Sequence, residues 1–108
     1  MERLLAGASR HELPVIVIGE YRYGLAGSKA RRTLLPLLEE LIRESIILEV
    51  GLATADVYAM VRARLRKAGH PLPENDVWIA ALALEHRLEI ASRDAHFDVV
   101  EGIRRRTW

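Results

Sequence analysis

The sequence predicts an α/β fold: a small, mostly parallel sheet with helices on both faces. Three observations predict it. Val15-Ile16-Val17-Ile18 is a continuous β-branched run of the kind found in strands buried on both faces. Eight consecutive apolar residues, from Val77 to Leu84, read as a helix buried on most of its circumference. The remaining segments alternate between short strand signals and helical periodicities, the order expected of βα crossovers.

Taken in order, residues 2–10 read as the last turns of a helix, with Leu4, Leu5 and Ala8 at helical spacing, so the chain is expected to start mid-element. The first strand is placed at Val15–Ile18, and Glu20 just past its carboxyl end. A short helix follows from Tyr21 to Ala26, with Ser28 as the next N-cap candidate. Residues 29–44 carry Leu34, Leu35, Leu37, Leu38, Leu41 and Ile42 at helical spacing, but Pro36 has no N–H to donate and is expected to break that helix. Residues 45–50 form the second strand candidate. Thr54 is placed as the cap of a helix from Ala55 to Ala68, with Val57, Met60, Val61 and Leu65 as its buried stripe and Gly69 as its stop. The next helix follows Asn75, with Asp76 at its start, and ends near Arg87, Leu88–Ser92 is the third strand, and Ile103–Trp108 is a short edge strand. No repeat, linker or low-complexity tract divides the chain, and 108 residues suit one domain, 1–108.

Composition excludes several classes. Half of the residues are apolar and 29% are charged, which rules out a disordered chain. A net charge of +1 neither requires nor excludes nucleic acid. The absence of cysteine removes disulfides and thiolate metal sites and is consistent with a cytoplasmic location. No apolar run approaches the roughly 20 residues of a membrane span, and the apolar part of the first eight residues is too short for a signal peptide.

The acids form a pattern. A helix start and a strand end meet at the same edge of a sheet built from right-handed crossovers, which brings Asp76 beside Asp94, with Asp98 in the same loop and Glu20 past the first strand. Oxygen-only donors select a hard cation, and the histidines at 11, 70, 86 and 96 make no close ligand pair, so Mg²⁺ or Mn²⁺ is expected over zinc. Such an ion lowers the pKa of bound water and steadies a phosphoryl oxygen, which points to phosphodiester hydrolysis. Each acid also has a plainer reading. Asp76 alone is more often a helix N-terminal acid than a ligand, Glu20 can simply open a helix, and Asp98 can cap a turn. His96 reads as an exposed loop histidine with no role, Trp78 as core, and Tyr21 and Tyr23 as packing residues. Arg62, Arg66 and Lys67, and the run Arg104–Arg106, are able to meet phosphates, although cations on an amphipathic helix are usually solvated.

Three segments together, residues 13–24 (LPVIVIGEYRYG), residues 73–81 (PENDVWIAA) and residues 92–97 (SRDAHF), resemble the PIN-domain ribonucleases of the VapC toxin type. The resemblance implies a three-layer sandwich and a metal-dependent endoribonuclease acting on cellular RNA. It also implies a homodimer and a cognate antitoxin. Glu20 matches the family's second acid, Asp76 its third and Asp94 its fourth, Asp98 fits an accessory acid, and Ser92 matches the small hydroxyl residue that orients the site. Family members begin with a central strand carrying a first metal-binding aspartate. Nothing before Leu13 reads as that strand, so the fold is expected to be incomplete at its N-terminus, through a misplaced start codon, a remnant gene, or a strand or subunit exchanged between copies. Two readings follow: a Mg²⁺-dependent ribonuclease, or a catalytically inactive PIN-like protein that retains self-association or antitoxin binding. A phosphate-receiver domain also gathers acids at a sheet edge, but it needs a paired-acid strand and a late lysine that this sequence lacks.

Overall fold

The computed structural model describes residues 4–6 and 11–107. Its elements are β1 (Leu4–Ala6), β2 (His11–Pro14), α1 (Val15–Ala26), α2 (Arg31–Glu44), β3 (Ile46–Leu48), α3 (Leu52–Ala68), α4 (Glu74–His86), β4 (Glu89–Ala91), a 3₁₀ helix (Ala95–Val99) and β5 (Arg105–Arg106). The sheet order is β3-β2-β1-β4-β5. β2 runs parallel to β3 and β4 parallel to β5, while β1 lies antiparallel to both β2 and β4. β2 and β4 therefore point the same way, and β1 alone opposes the rest. The chain leaves β2 toward one edge and returns from β3 past it to β4. With right-handed crossovers this reversal puts α1 and α2 on one face and α3 and α4 on the other.

Several sequence expectations are corrected. Leu4–Ala6 is a strand, not the end of a helix, and it occupies the central position expected to be empty. Without it the facing edges of β2 and β4 would hold unpaired backbone groups, a larger penalty than any helical preference of three residues. The strand carries no acid. The rest of the predicted helix, residues 2, 3 and 7–10, lies outside the described residues.

The first strand predicted at Val15–Ile18 is instead the opening of α1, and the strand is His11–Pro14. Pro14 sits before the helix with φ −63° and ψ 136°, ending the strand without needing an N–H. Val17 is fully buried and Ile16 and Ile18 pack against the core, so tertiary contact outweighs the β preference of the run. Glu20 consequently lies within a helix. Pro36 does not break α2, which runs unbroken around it. The buried Leu38 and the packed Leu41 and Ile42 hold its second half in place. Ser28 is not the cap of α2, and its Oγ instead accepts the Ala30 N–H at 3.1 Å.

The second half follows its sequence closely. Gly51 precedes α3, whose third residue, Thr54, accepts the Gly51 N–H at 3.0 Å and donates to Glu85 near the end of α4. Thr54 thus ties the start of α3 to the end of its antiparallel neighbour. Gly69 closes α3 at φ 73°, with His70 N–H reaching Leu65 at 3.0 Å. The predicted stripe is buried at Val61 and Leu65, while Met60 is exposed. α4 is the central helix, fully covered at Ala80, Ala81 and Leu82. It ends at Arg87 in the left-handed conformation, where Leu88 N–H returns to Ala83 at 2.9 Å. The predicted edge strand pairs only through Arg105 and Arg106; Trp108 lies outside the described residues.

Candidate functional site

The carboxyl ends of β2 and β4 flank the position where the chain's direction of winding reverses, the crevice in which open α/β sheets place their ligands. Three of the predicted acids lie at this crevice on separate elements. Asp76 is in the first turn of α4 and only 1% exposed. The N–H groups of the first turn and the positive end of the dipole favour an anion there. Asp94 follows β4, and Glu20 comes from the middle of α1.

His96 joins two of them. Its Nε2 lies 2.8 Å from Asp76 Oδ2, and its Nδ1 contacts Asp94 Oδ1. The Asp94 carboxylate also caps the 3₁₀ helix by accepting the His96 N–H at 3.4 Å, and the His96 ring rests against Phe97 with centroids 4.9 Å apart. Both ring contacts form together only with a proton on each nitrogen or on one of the carboxyl groups, since carboxylates only accept. His96 thus stands between the two carboxyl groups and hydrogen-bonds to both. Glu20 reaches the cluster through Asn75, the residue before Asp76, whose amide donates to the Glu20 carboxylate.

Ser92, fully buried, shapes the loop. Its Oγ accepts the Asp94 N–H at 3.0 Å. Arg105 holds the same loop from the far side by donating to the Ser92 carbonyl at 3.0 Å. Asp98 stands outside the bridge. Its two oxygens accept from Arg105 at 2.8 and 3.1 Å, and those hydrogen bonds hold the Asp98 carboxyl below the usual carboxylate range and push Arg105 up.

His96 was expected to be an exposed loop residue without a role, yet it is the link between the two acids. Its position, two residues after Asp94, was the available signal. Trp78 was expected in the core, but it is half-buried and stacked on Tyr58. Tyr21 packs against the core and Tyr23 is exposed.

Among the described residues, no three carboxylate or imidazole groups converge closely enough to hold a metal ion. The donor chemistry fits a hard divalent cation, since Asp76 and Asp94 offer carboxylate oxygens on either side of the position that the His96 ring occupies.

The PIN domain family model matches residues 1–103. The chain belongs to the PIN domain family. Solved structures agree with this PIN fold. DNA-bound VapBC from Salmonella typhimurium is 26% identical, with a TM-score of 0.83 over 90% of this chain and 74% of that one. VapBC2 from Rickettsia felis, bound to a fragment of its promoter, gives the same TM-score and coverage at 21% identity. VapBC-5 from Mycobacterium tuberculosis, a member of the VapBC family of toxin-antitoxin systems, is 26% identical, with a TM-score of 0.75 over 87% of this chain and 77% of that one. A search of curated protein sequences finds no match. No helix among the described residues is long and apolar enough to cross a membrane.

Proposed function

We propose that this PIN domain is the toxin of a VapBC-type toxin-antitoxin pair, a cytoplasmic endoribonuclease that uses Mg²⁺ or Mn²⁺. The observation that carries the reading is the Asp76–His96–Asp94 bridge, which joins α4 to the loop after β4 at the crevice, with Glu20 linked through Asn75. Asp76 and Asp94 are the residues that would hold the cation, with Glu20 beside them and Asp98 an accessory acid through its grip on Arg105. A bound divalent ion supplies an activated water and charge neutralisation at a phosphoryl oxygen. The chain's own groups do the rest. Ser92 fixes the Asp94 loop, the α4 N-terminus orients Asp76, and the His96 ring shares a hydrogen bond between its Nε2 and Asp76 Oδ2.

An apolar depression of about 300 Å³ between α1 and α2, lined by Tyr21, Gly24, Leu25, Leu34, Leu37 and Leu38 with Glu20 at its margin, supports docking of an antitoxin segment or a second copy. Leu34 and Leu37 are exposed there. The test is cleavage of cellular RNA with added Mg²⁺. Cleavage that disappears in Asp76→Asn and in EDTA supports the proposal, and cleavage unchanged in Asp76→Asn overturns it.

One observation favours a second reading, a catalytically inactive PIN-like protein that retains self-association or antitoxin binding. Among the described residues no three histidine, aspartate or glutamate groups converge to hold a metal ion, and an imidazole stands between Asp76 and Asp94. That reading predicts no metal-dependent cleavage in a protein that still self-associates or binds its antitoxin.

A further inference from the structure

The outer face of α3 combines cations with aromatic rings. Tyr58, Arg62 and Arg66 recur every fourth residue and so form one line along the helix. The small side chains of Ala59 and Ala63 lie beside that line, and Lys67 closes it. These six residues line an open concavity of about 660 Å³. A second depression of about 400 Å³ shares Arg62 and Arg66 and continues to Leu72 and Glu74, at the start of α4 and two residues from Asp76. A trough therefore runs along α3 to the start of α4, the helix that carries Asp76 in its first turn.

The aromatic part is built. The rings of Tyr58 and Trp78 stack with centroids 3.8 Å apart and planes 16° from parallel, and the Arg62 guanidinium lies 5.8 Å from the Tyr58 centroid. Tyr58 donates its hydroxyl to Glu74 at 3.1 Å, and Arg62 sits 3.5 Å from the same carboxylate. Glu74 is the one acid lining the two depressions, and it is already paired, so Arg66 and Lys67 leave the trough positive on a chain whose net charge is only +1. Placement in the last turn of α3 lets Arg66 and Lys67 complement the helix dipole. That role explains neither the ring stack nor the trough.

We infer that this face docks single-stranded RNA, with phosphates along Arg62, Arg66 and Lys67 and a base against the Tyr58–Trp78 stack. The inference rests on the reading that the chain acts on RNA, and it names the surface that leads the strand toward Asp76. Cations alone would suit an acidic protein equally well. Flat rings joined to a row of cations are the combination that single-stranded nucleic acid uses.

The test separates docking from cleavage. Binding of a short, unstructured, fluorescein-labelled oligoribonucleotide is followed by anisotropy in EDTA across a salt series. Arg66 and Lys67 are exposed, so Arg66→Gln/Lys67→Gln leaves packing intact. Its affinity at low salt should fall about tenfold, and the slope of log K against log salt should become shallower by about 1.4, at about 0.7 for each phosphate no longer neutralised. Tyr58→Ala should weaken binding about tenfold with the slope unchanged. Equal affinity and slope for wild type and Arg66→Gln/Lys67→Gln overturn the inference. A wild type that binds with the expected slope change yet never cleaves RNA supports docking while it refutes the ribonuclease reading.

Discussion

Replacing His96 with alanine probes the bridge directly. The imidazole makes two contacts of unequal worth. Its partner on α4, the Asp76 side chain, is 2% exposed, so that hydrogen bond to a charged group contributes about 1.5–3 kcal/mol. The Asp94 side chain is 41% exposed, and the second contact adds no more than about 1 kcal/mol. His96→Ala should therefore destabilise the fold by about 2–4 kcal/mol, much of it from leaving the Asp76 carboxylate buried without its imidazole. In a domain of this size each kcal/mol shifts Tm by roughly 4 °C, so thermal unfolding followed by circular dichroism at neutral pH should show a fall of about 8–16 °C. His96→Gln, which keeps one N–H donor, should fall between the two proteins. A shift of less than about 3 °C for His96→Ala would mean that the bridge contributes nothing to the fold, and the reasoning would fail.

Three further outcomes follow from the fold. Pro36→Ala gives α2 back an N–H donor in its interior and should stabilise the fold by about 1–2 kcal/mol after allowing for the looser unfolded chain, seen as a raised Tm; a lowered Tm would show that the proline is needed. Phe97→Ala empties a fully buried position beneath His96 and should cost about 3–5 kcal/mol in a denaturant titration, whereas a loss under 1 kcal/mol would contradict its place in the core. Asp98 has its pKa lowered by Arg105, so its contribution to stability is present above the unfolded carboxylate value of about 4 and is lost as pH falls through the depressed folded value. The Tm difference between wild type and Asp98→Asn should therefore be widest near neutrality and close in acid; a constant difference would disprove the linkage.

The second half of the chain was legible because its signals agree with one another. Gly69 ends α3 at a positive φ, the long apolar run of α4 is buried as its composition demands, and Asp76 opens that helix. The first half misled because local preference and tertiary demand conflict there. Val15–Ile18 has a strand composition, but Pro14 ends the strand and the burial of Val17 rewards a helix. Leu4–Ala6 has helical spacing, but the pairing needs of β2 and β4 recruit it as a strand, and no periodicity in three residues could reveal that. At the site, the spacing of the acids predicted that Asp76 and Asp94 meet at one sheet edge. It did not predict that an imidazole stands between them, because a histidine two residues after an acid is common in loops. Asp98 was grouped with them by proximity in sequence, and only the approach of Arg105 from β5 separates it.

The central claim is that Asp76 and Asp94 act as one unit with an affinity for positive charge. The most direct measurement is Mn²⁺ titration, followed by isothermal calorimetry or by loss of the free-ion electron paramagnetic resonance signal, on the wild type, Asp76→Asn and Asp94→Asn. The account predicts saturable binding by the wild type that is lost in both variants. Binding that survives unchanged in either one would contradict it.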